Sequence, residues 1–256
     1  MGTWLSVEES SLKYAEDFAR LAEQLLAEHQ AQPTLERIVA LALQAVDPCD
    51  WCAITLRDSE GRLSTPAATA DVAERAAELE NELGEGPCLD AVWDMNSVSV
   101  NDLTAPNRWP RWSPAAVELG IKSMLSVRLE LSGQPVVASL NLFARMPGVF
   151  DSTDLAIASI FARHAGQALA AARIEEGLRA AARSRQVIGI AQGMLMQRFG
   201  LTLDQSFELL RRYSQTRNLK LRTLAENLVE SGGIPTTSTE PGADLERALG
   251  LEPDVG

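Results

Sequence analysis

The sequence predicts an α+β chain: an antiparallel sheet flanked by helices, joined by a long helix to an all-α unit of three helices. Three observations predict it. Nine of the twelve prolines lie between Pro33 and Pro147, and none lies between Gly148 and Ile234. Proline breaks helix interiors, so the first stretch reads as mixed and the second as helical. Two alternating apolar runs, SMLSVRLEL and VVASLNLFA, flank the turn sequence Ser-Gly-Gln-Pro, the pattern of a hairpin. Finally, no repeated strand-helix-strand order appears, which argues against a doubly wound parallel sheet.

Residues 1–32 form the first zone, with an amphipathic helix predicted from Ser6 to Gln30 on the spacing of Leu12, Ala15, Ala19, Ala22 and Leu26. Its narrow stripe suits one partner helix, in the same chain or across a dimer. Residues 33–173 form the second zone. Helical patterns occupy Leu35 to Val46 and Asp71 to Leu83, and strand patterns occupy WCAITLR, SVSV and the two arms of the hairpin. A long helix starts after Asp151, where Asp-Ser-Thr-Asp offers capping oxygens and negative charge. It places Ile157, Phe161, His164, Ala168 and Ala171 on one face and runs past Leu178 through a linker at 174–182; Gly166 and Gly177 weaken it by about 1 kcal/mol each.

Three helices are predicted within residues 183–233. Gly200 ends the first, Thr202 or Leu203 starts the second, and Asn218 either terminates the second or caps the third, LKLRTLAENLVE. Their shared core is predicted from Val187, Ile188, Ala191, Leu195, Phe207, Leu210, Leu221, Leu224 and Leu228. Residues 234–256, rich in Pro, Thr and acid, read as a disordered tail.

Composition excludes several classes. With 46% hydrophobic and 23% charged residues in 256, the chain reads as globular. It carries neither a signal-peptide pattern nor an apolar run long enough to cross a bilayer, so a cytoplasmic protein without a membrane role is expected. Cys49, Cys52 and Cys88 are one short of an all-cysteine zinc site. The C-x-x-C of PCDWC falls in a helix-to-strand turn, opposite to a redox helix start, so structural cysteines are read there, with redox or metal sensing as the alternative. Two distant histidines and the absence of a Walker loop, a zinc-protease helix or a nucleophile elbow leave no catalytic residues, metal ligands or cofactor to name.

Charge is unevenly placed. The whole chain has a formal net charge of -12. Between Arg183 and Gly232, however, eight basic residues face four acidic ones, a net of +4. A basic module beside an acidic one is the pattern expected when only one of them meets a polyanion.

The pieces ELENELGEGPCLDAVW, VSVNDLTAPNRWPRW, GIKSMLSVRL and SLNLFARMPGVFDSTDLAIASIFARHAGQAL resemble a GAF sensor domain, of the type found in actinobacterial regulators. The resemblance implies a six-stranded antiparallel sheet with helices packed on it and a ligand pocket on one face, without naming the ligand. Cys88, Trp93 and Trp109 are the candidate pocket residues; the loop NRWPRW is read as bordering that pocket, with RNA contact as its alternative. Further on, IGIAQGMLMQRFGLTLDQSFELLRRYSQTRNLKLRTLAENLV resembles the ANTAR domain of transcription antiterminators, departing from it at Ser206, where the family usually has alanine. This resemblance implies binding to paired short-loop hairpins in nascent leader RNA, which keeps a competing terminator from forming. The candidate RNA-binding residues are Gln192, Arg198, Arg211, Arg212, Ser214, Arg217, Asn218, Lys220 and Arg222.

Three function classes follow. The first is a signal-responsive RNA-binding antitermination regulator, a homodimer because two hairpins need two domains, with a small-molecule ligand in its sensor and the transcription elongation machinery as an indirect partner. The second is a GAF-based redox enzyme reducing free methionine sulfoxide through pocket cysteines. The third is a DNA-binding or protein-interaction regulator, since a small basic helical unit can also enter a major groove.

Overall fold

The computed structural model describes residues 16, 19–93, 96–105, 108–133 and 137–231, with the side chains of residues 92 and 93 excepted. The chain divides into two compact units between Glu176 and Gly177. The tail expected at 234–256 and about half of the helix expected from Ser6 to Gln30 lie outside the described residues.

In the first unit five antiparallel strands form one sheet: β1 (Trp51–Arg57), β2 (Leu63–Ala68), β3 (Ser97–Val100), β4 (Ser123–Leu129) and β5 (Val137–Ala144). Their order is β2-β1-β5-β4-β3. The predicted hairpin is β4–β5, with Leu125 opposite Leu142 and Ser126 opposite Asn141. Among the described residues the sheet has five strands, where the resemblance implies six. β2 is absent from the sequence reading because Pro66 interrupts its pattern; the structure places it at the sheet edge, where a missing N–H is tolerated.

Alternation along the strands gives the sheet two covered faces. On one, Cys52, Ile54, Leu125, Val127, Leu140 and Leu142 pack with Leu35, Ile38 and Val39 of α1 (Ala31–Ala45) and with Phe161, Ala165 and Leu169 of α5 (Ser152–Phe199). On the other, Ala53, Met124 and Phe143 pack with Ala73 and Ala76 of α2 (Asp71–Leu83), Cys88 and Ala91 of α3 (Pro87–Trp93), and Trp112 of α4 (Trp112–Glu118).

Two details correct the sequence reading. Residues 19–25 are helical, but Leu25 is the buried residue and Leu26 is 61% exposed, so the apolar stripe is rotated from the one expected. Gly166 is more than a weak point in α5: a Cβ there would come 2.5 Å from the carbonyl oxygen of Glu130, so only glycine lets the helix lie this close to the end of β4.

In the second unit, the last part of α5 packs with α6 (Leu203–Arg217) and α7 (Leu221–Ser231) around Ala191, Leu195, Leu209, Leu210, Tyr213, Leu224, Ala225 and Leu228. Gly200 takes the left-handed conformation (φ 66°) that ends α5. Thr202 caps α6 in a full capping box with Gln205. Asn218, at φ 52°, terminates α6 rather than capping α7. Phe207, expected in this core, is 38% exposed, while Leu209 takes a buried place beside Leu210.

Candidate sensor pocket and nucleic-acid interface

The stretch Gly84-Glu85-Gly86-Pro87-Cys88 builds one corner of the sensor unit. Gly84 adopts φ 67° and closes α2, its N–H bonding the carbonyl of Glu80. Glu80 is completely buried. Its Oε2 accepts the backbone N–H groups of Cys88 at 2.8 Å and Leu89 at 3.3 Å. Gly86 lies so close to this carboxylate that a Cβ would fall on it. Glu85 does parallel work from the surface: its Oε1 accepts the N–H of Arg111 at 2.6 Å and of Trp112 at 2.9 Å, fixing the start of α4. The buried Trp112 indole donates to the carbonyl of Ala76 at 3.0 Å, tying α4 to α2.

Beneath α3 the sheet face is polar. Ser126 donates to Asn141 Oδ1 at 2.7 Å, Asn141 donates to Thr55 Oγ1 at 3.0 Å, and Thr55 lies 3.8 Å from the Cys88 sulfur. Two buried atoms, Ser139 Oγ on this face and Glu80 Oε1 on α2, have no hydrogen-bond partner among the described residues. Burial pushes the Glu80 carboxyl up to about 8 against the opposing pull of the Cys88 thiol and the two backbone donors. Burial, with the adjacent Glu80, also pushes the Cys88 thiol well up, which disfavours a reactive thiolate.

Two cavities open beside this corner. One, of about 570 Å³, is bordered by Leu63, Asn81, Glu85, Leu89, Asp90, Arg108 and Trp109. The other, of about 350 Å³, shares Leu63 and Asn81 and reaches Thr55. Of the three candidate pocket residues, Trp109 lines the larger cavity, in a T-shaped contact with Trp112 at 6.4 Å and under the Arg108 guanidinium at 4.8 Å. Arg108 also meets Asp90 at 3.3 Å. Cys88 does not line either cavity; Thr55, 3.8 Å from its sulfur, lines the smaller one. The side chain of Trp93 lies outside the described residues. Glu80, Thr55 and Asn141 were missed in the sequence, where nothing distinguishes a Glu on an amphipathic helix or a Thr and an Asn on strands from solvated residues.

The other cysteines are structural in their surroundings. Cys52 is buried in β1 with its thiol pushed up by burial, and Cys49, in the turn before it, is pushed up to about 12 by burial. Neither is in a disulfide.

In the second unit, Arg198, Arg211, Arg212, Arg217, Lys220 and Arg222 are all exposed. Several are steered by neighbours: Arg211 bonds Glu208 at 2.6 Å, Arg222 bonds Glu226 at 2.7 Å, and Arg217 lies over the Tyr213 ring at 5.4 Å. Exposed pairs of this kind are weak and easily exchanged for a phosphate. Three other candidates have work inside the unit. Gln192 donates to the carbonyl of Leu203 at 3.1 Å, Ser214 donates to the carbonyl of Leu219 at 2.6 Å, and Asn218 supplies the left-handed turn. Tyr213 is buried and covered by Arg217, so its ring is not offered to a base. Ser206, the departure from the family pattern, is buried and donates to the carbonyl of Leu203 at 2.7 Å, which leaves its hydroxyl satisfied.

Comparison with known proteins divides the chain in the same two parts. Residues 28–170 match the GAF domain, and residues 176–229 match the ANTAR domain. No curated protein matches the chain. Among solved structures, it is similar to the GAF domain of an Acinetobacter phosphoenolpyruvate-protein phosphotransferase, 16% identical, TM-score 0.50, over 62% of this chain and 94% of that one. It is also similar to the photosensory core module of a Stigmatella aurantiaca phytochrome, 12% identical, TM-score 0.54, over 79% of this chain and 44% of that one. A free methionine-R-sulfoxide reductase from Neisseria meningitidis is 18% identical, TM-score 0.49, over 62% of this chain and 90% of that one. At these identities the likeness to the first two is one of fold. No helix among the described residues is long and apolar enough to cross a membrane.

Proposed function

The chain belongs to the GAF domain family and carries an ANTAR domain after it, and from that premise we propose a signal-responsive, RNA-binding regulator of transcription antitermination. In this reading residues 33–173 sense, residues 174–182 connect, and residues 183–233 bind paired hairpin loops of leader RNA, acting on the elongation machinery only through the RNA. The observation that carries it is the charge reversal: a net of +4 between Arg183 and Gly232 inside a chain of -12, with the basic side chains of α6 and α7 exposed. Phosphate neutralisation supplies affinity and the splayed loop bases supply specificity. Arg198, Arg211, Arg212, Arg217, Lys220 and Arg222 are the phosphate and base contacts, while Gln192, Ser214 and Asn218 act through the turns they hold. The protein works in the cytoplasm as a homodimer joined through the N-terminal and long helices, so that two domains meet two hairpins.

The sensor takes a small molecule. The cavity bordered by Trp109, the smaller one that reaches Thr55, and the unpartnered buried Ser139 Oγ on the polar sheet face support a ligand with hydrogen-bonding groups. A redox-enzyme reading has less support, because Cys88 is buried, lines neither cavity, and has its thiol held protonated by that burial.

The test is binding of the full chain to a labelled RNA bearing two short-loop hairpins, beside a scrambled-loop control, at several salt concentrations. Loop-dependent binding that weakens with salt, and weakens in Lys220→Ala/Arg222→Ala, is expected. Equal binding of both RNAs, or stronger competition by duplex DNA than by hairpin RNA, overturns the reading. A monomer in sedimentation with RNA present overturns the dimer.

A further inference from the structure

We propose that Phe207 is a base-stacking residue of the RNA-binding surface, receiving an unpaired loop base on its exposed ring. The inference rests on the RNA-binding reading above and deepens it.

An aromatic ring at this point of α6 is expected in the core, and the structure puts it outside: Phe207 is 38% exposed, and Leu203, one turn before it, is 58% exposed. The core of the unit closes without either of them, through Leu209, Leu210 and Tyr213. Phe207 is therefore not required to fill the interior. Along α6 the positions 203, 207, 211, 214 and 218 recur at spacings of four and three, so Leu203, Phe207, Arg211, Ser214 and Asn218 share one face. Gln192 joins its N-terminal end through the hydrogen bond to Leu203. The face thus starts apolar and aromatic and continues through one arginine to neutral polar residues.

Charge complementarity decides the occupant. Another protein surface or a second copy of this acidic chain would have to bring apolar groups to Leu203 and Phe207; an unpaired nucleotide brings both a flat apolar base and a phosphate. Arg211, one turn from Phe207 on the same face and ion-paired with the half-buried Glu208, is placed by the helical period to meet the phosphate of a stacked nucleotide. Base stacking on an aromatic ring tolerates any base. Tyr213, the other aromatic of α6, is already covered by Arg217, which leaves Phe207 as the ring of this helix open to a base.

The experiment measures binding of the full chain, as wild type, Phe207→Ala, Phe207→Leu and Phe207→Tyr, to a two-hairpin RNA with 2-aminopurine in the loops, at two salt concentrations. Stacking worth about 1–3 kcal/mol predicts affinity lower by roughly five- to 150-fold in Phe207→Ala. Phe207→Leu keeps apolar area but no aromatic face and falls likewise, Phe207→Tyr stays near wild type, and the salt slope is unchanged because no phosphate contact is lost. Quenching of 2-aminopurine disappears with the ring. Equal affinity in all four proteins overturns the proposal while leaving the RNA-binding reading intact. So does Phe207→Leu binding as well as Phe207→Tyr, or a changed oligomeric state in sedimentation, which would assign the face to a protein copy. A wild-type chain that ignores the loops defeats the RNA-binding reading itself, and this inference with it.

Discussion

Glu80 makes the stability of the sensor unit depend on pH in the direction opposite to that of a salt-bridged carboxylate. Its carboxyl is raised from 4.5 to about 8, with burial as the first cause. Between those values the folded protein holds a proton that the unfolded chain releases, so stability is fully present below about 4.5 and is lost as pH rises through about 8. Each unit is worth about 1.36 kcal/mol. Over the usable range from pH 5 to pH 8 the contribution falls by about 4 kcal/mol. Glu80→Gln keeps an oxygen to accept the N–H groups of Cys88 and Leu89 but cannot titrate. The assay is urea unfolding of wild type and Glu80→Gln at four pH values, read at the first transition if the two units separate. The expected result is a wild-type stability that declines relative to the variant by about 1 kcal/mol or more per unit. Parallel curves, or a wild type that gains on the variant as pH rises, would show that Glu80 is ionised in the folded protein and that its two backbone donors outweigh its burial.

Gly86→Ala drives a methyl into the buried Glu80 carboxylate and is expected to cost about 2–4 kcal/mol in chemical unfolding, whereas Gly84→Ala, with open space but φ 67°, costs about 1 kcal/mol. The two helical glycines of α5 part company by the same measurement: Gly166→Ala meets the backbone of Glu130 and destabilises by more than about 2 kcal/mol, while Gly177→Ala meets nothing and stabilises by about 1 kcal/mol. Thr202→Ala removes the capping box of α6 and lowers the stability of the second unit by about 1 kcal/mol, with Thr202→Ser nearly neutral in thermal unfolding.

What was legible in the sequence followed from period and punctuation. The hairpin β4–β5, the caps at Gly200 and Thr202, and the long helix after Asp151 each rest on local chemistry that a neighbour cannot easily overturn. What was not legible depends on partners far along the chain. Thr55 and Asn141 are 86 residues apart, and only the pairing of β1 with β5 makes them a buried polar patch. Gly86 reads as a turn residue until α2 brings Glu80 against it, and Gly166 reads as a helix defect until the end of β4 arrives. Phe207 reads as core because an aromatic in an amphipathic pattern usually is. The same helical period accommodates Leu209, Leu210 and Tyr213 on the inward face, and only the packed unit decides which set is inside. That choice carries a functional consequence. A helix with more apolar residues than its core can bury presents the surplus to solvent, at a cost the fold alone does not repay. In a module whose exposed charges are mostly basic, the surplus ring and the arginine one turn away together match the two chemical faces of a nucleotide.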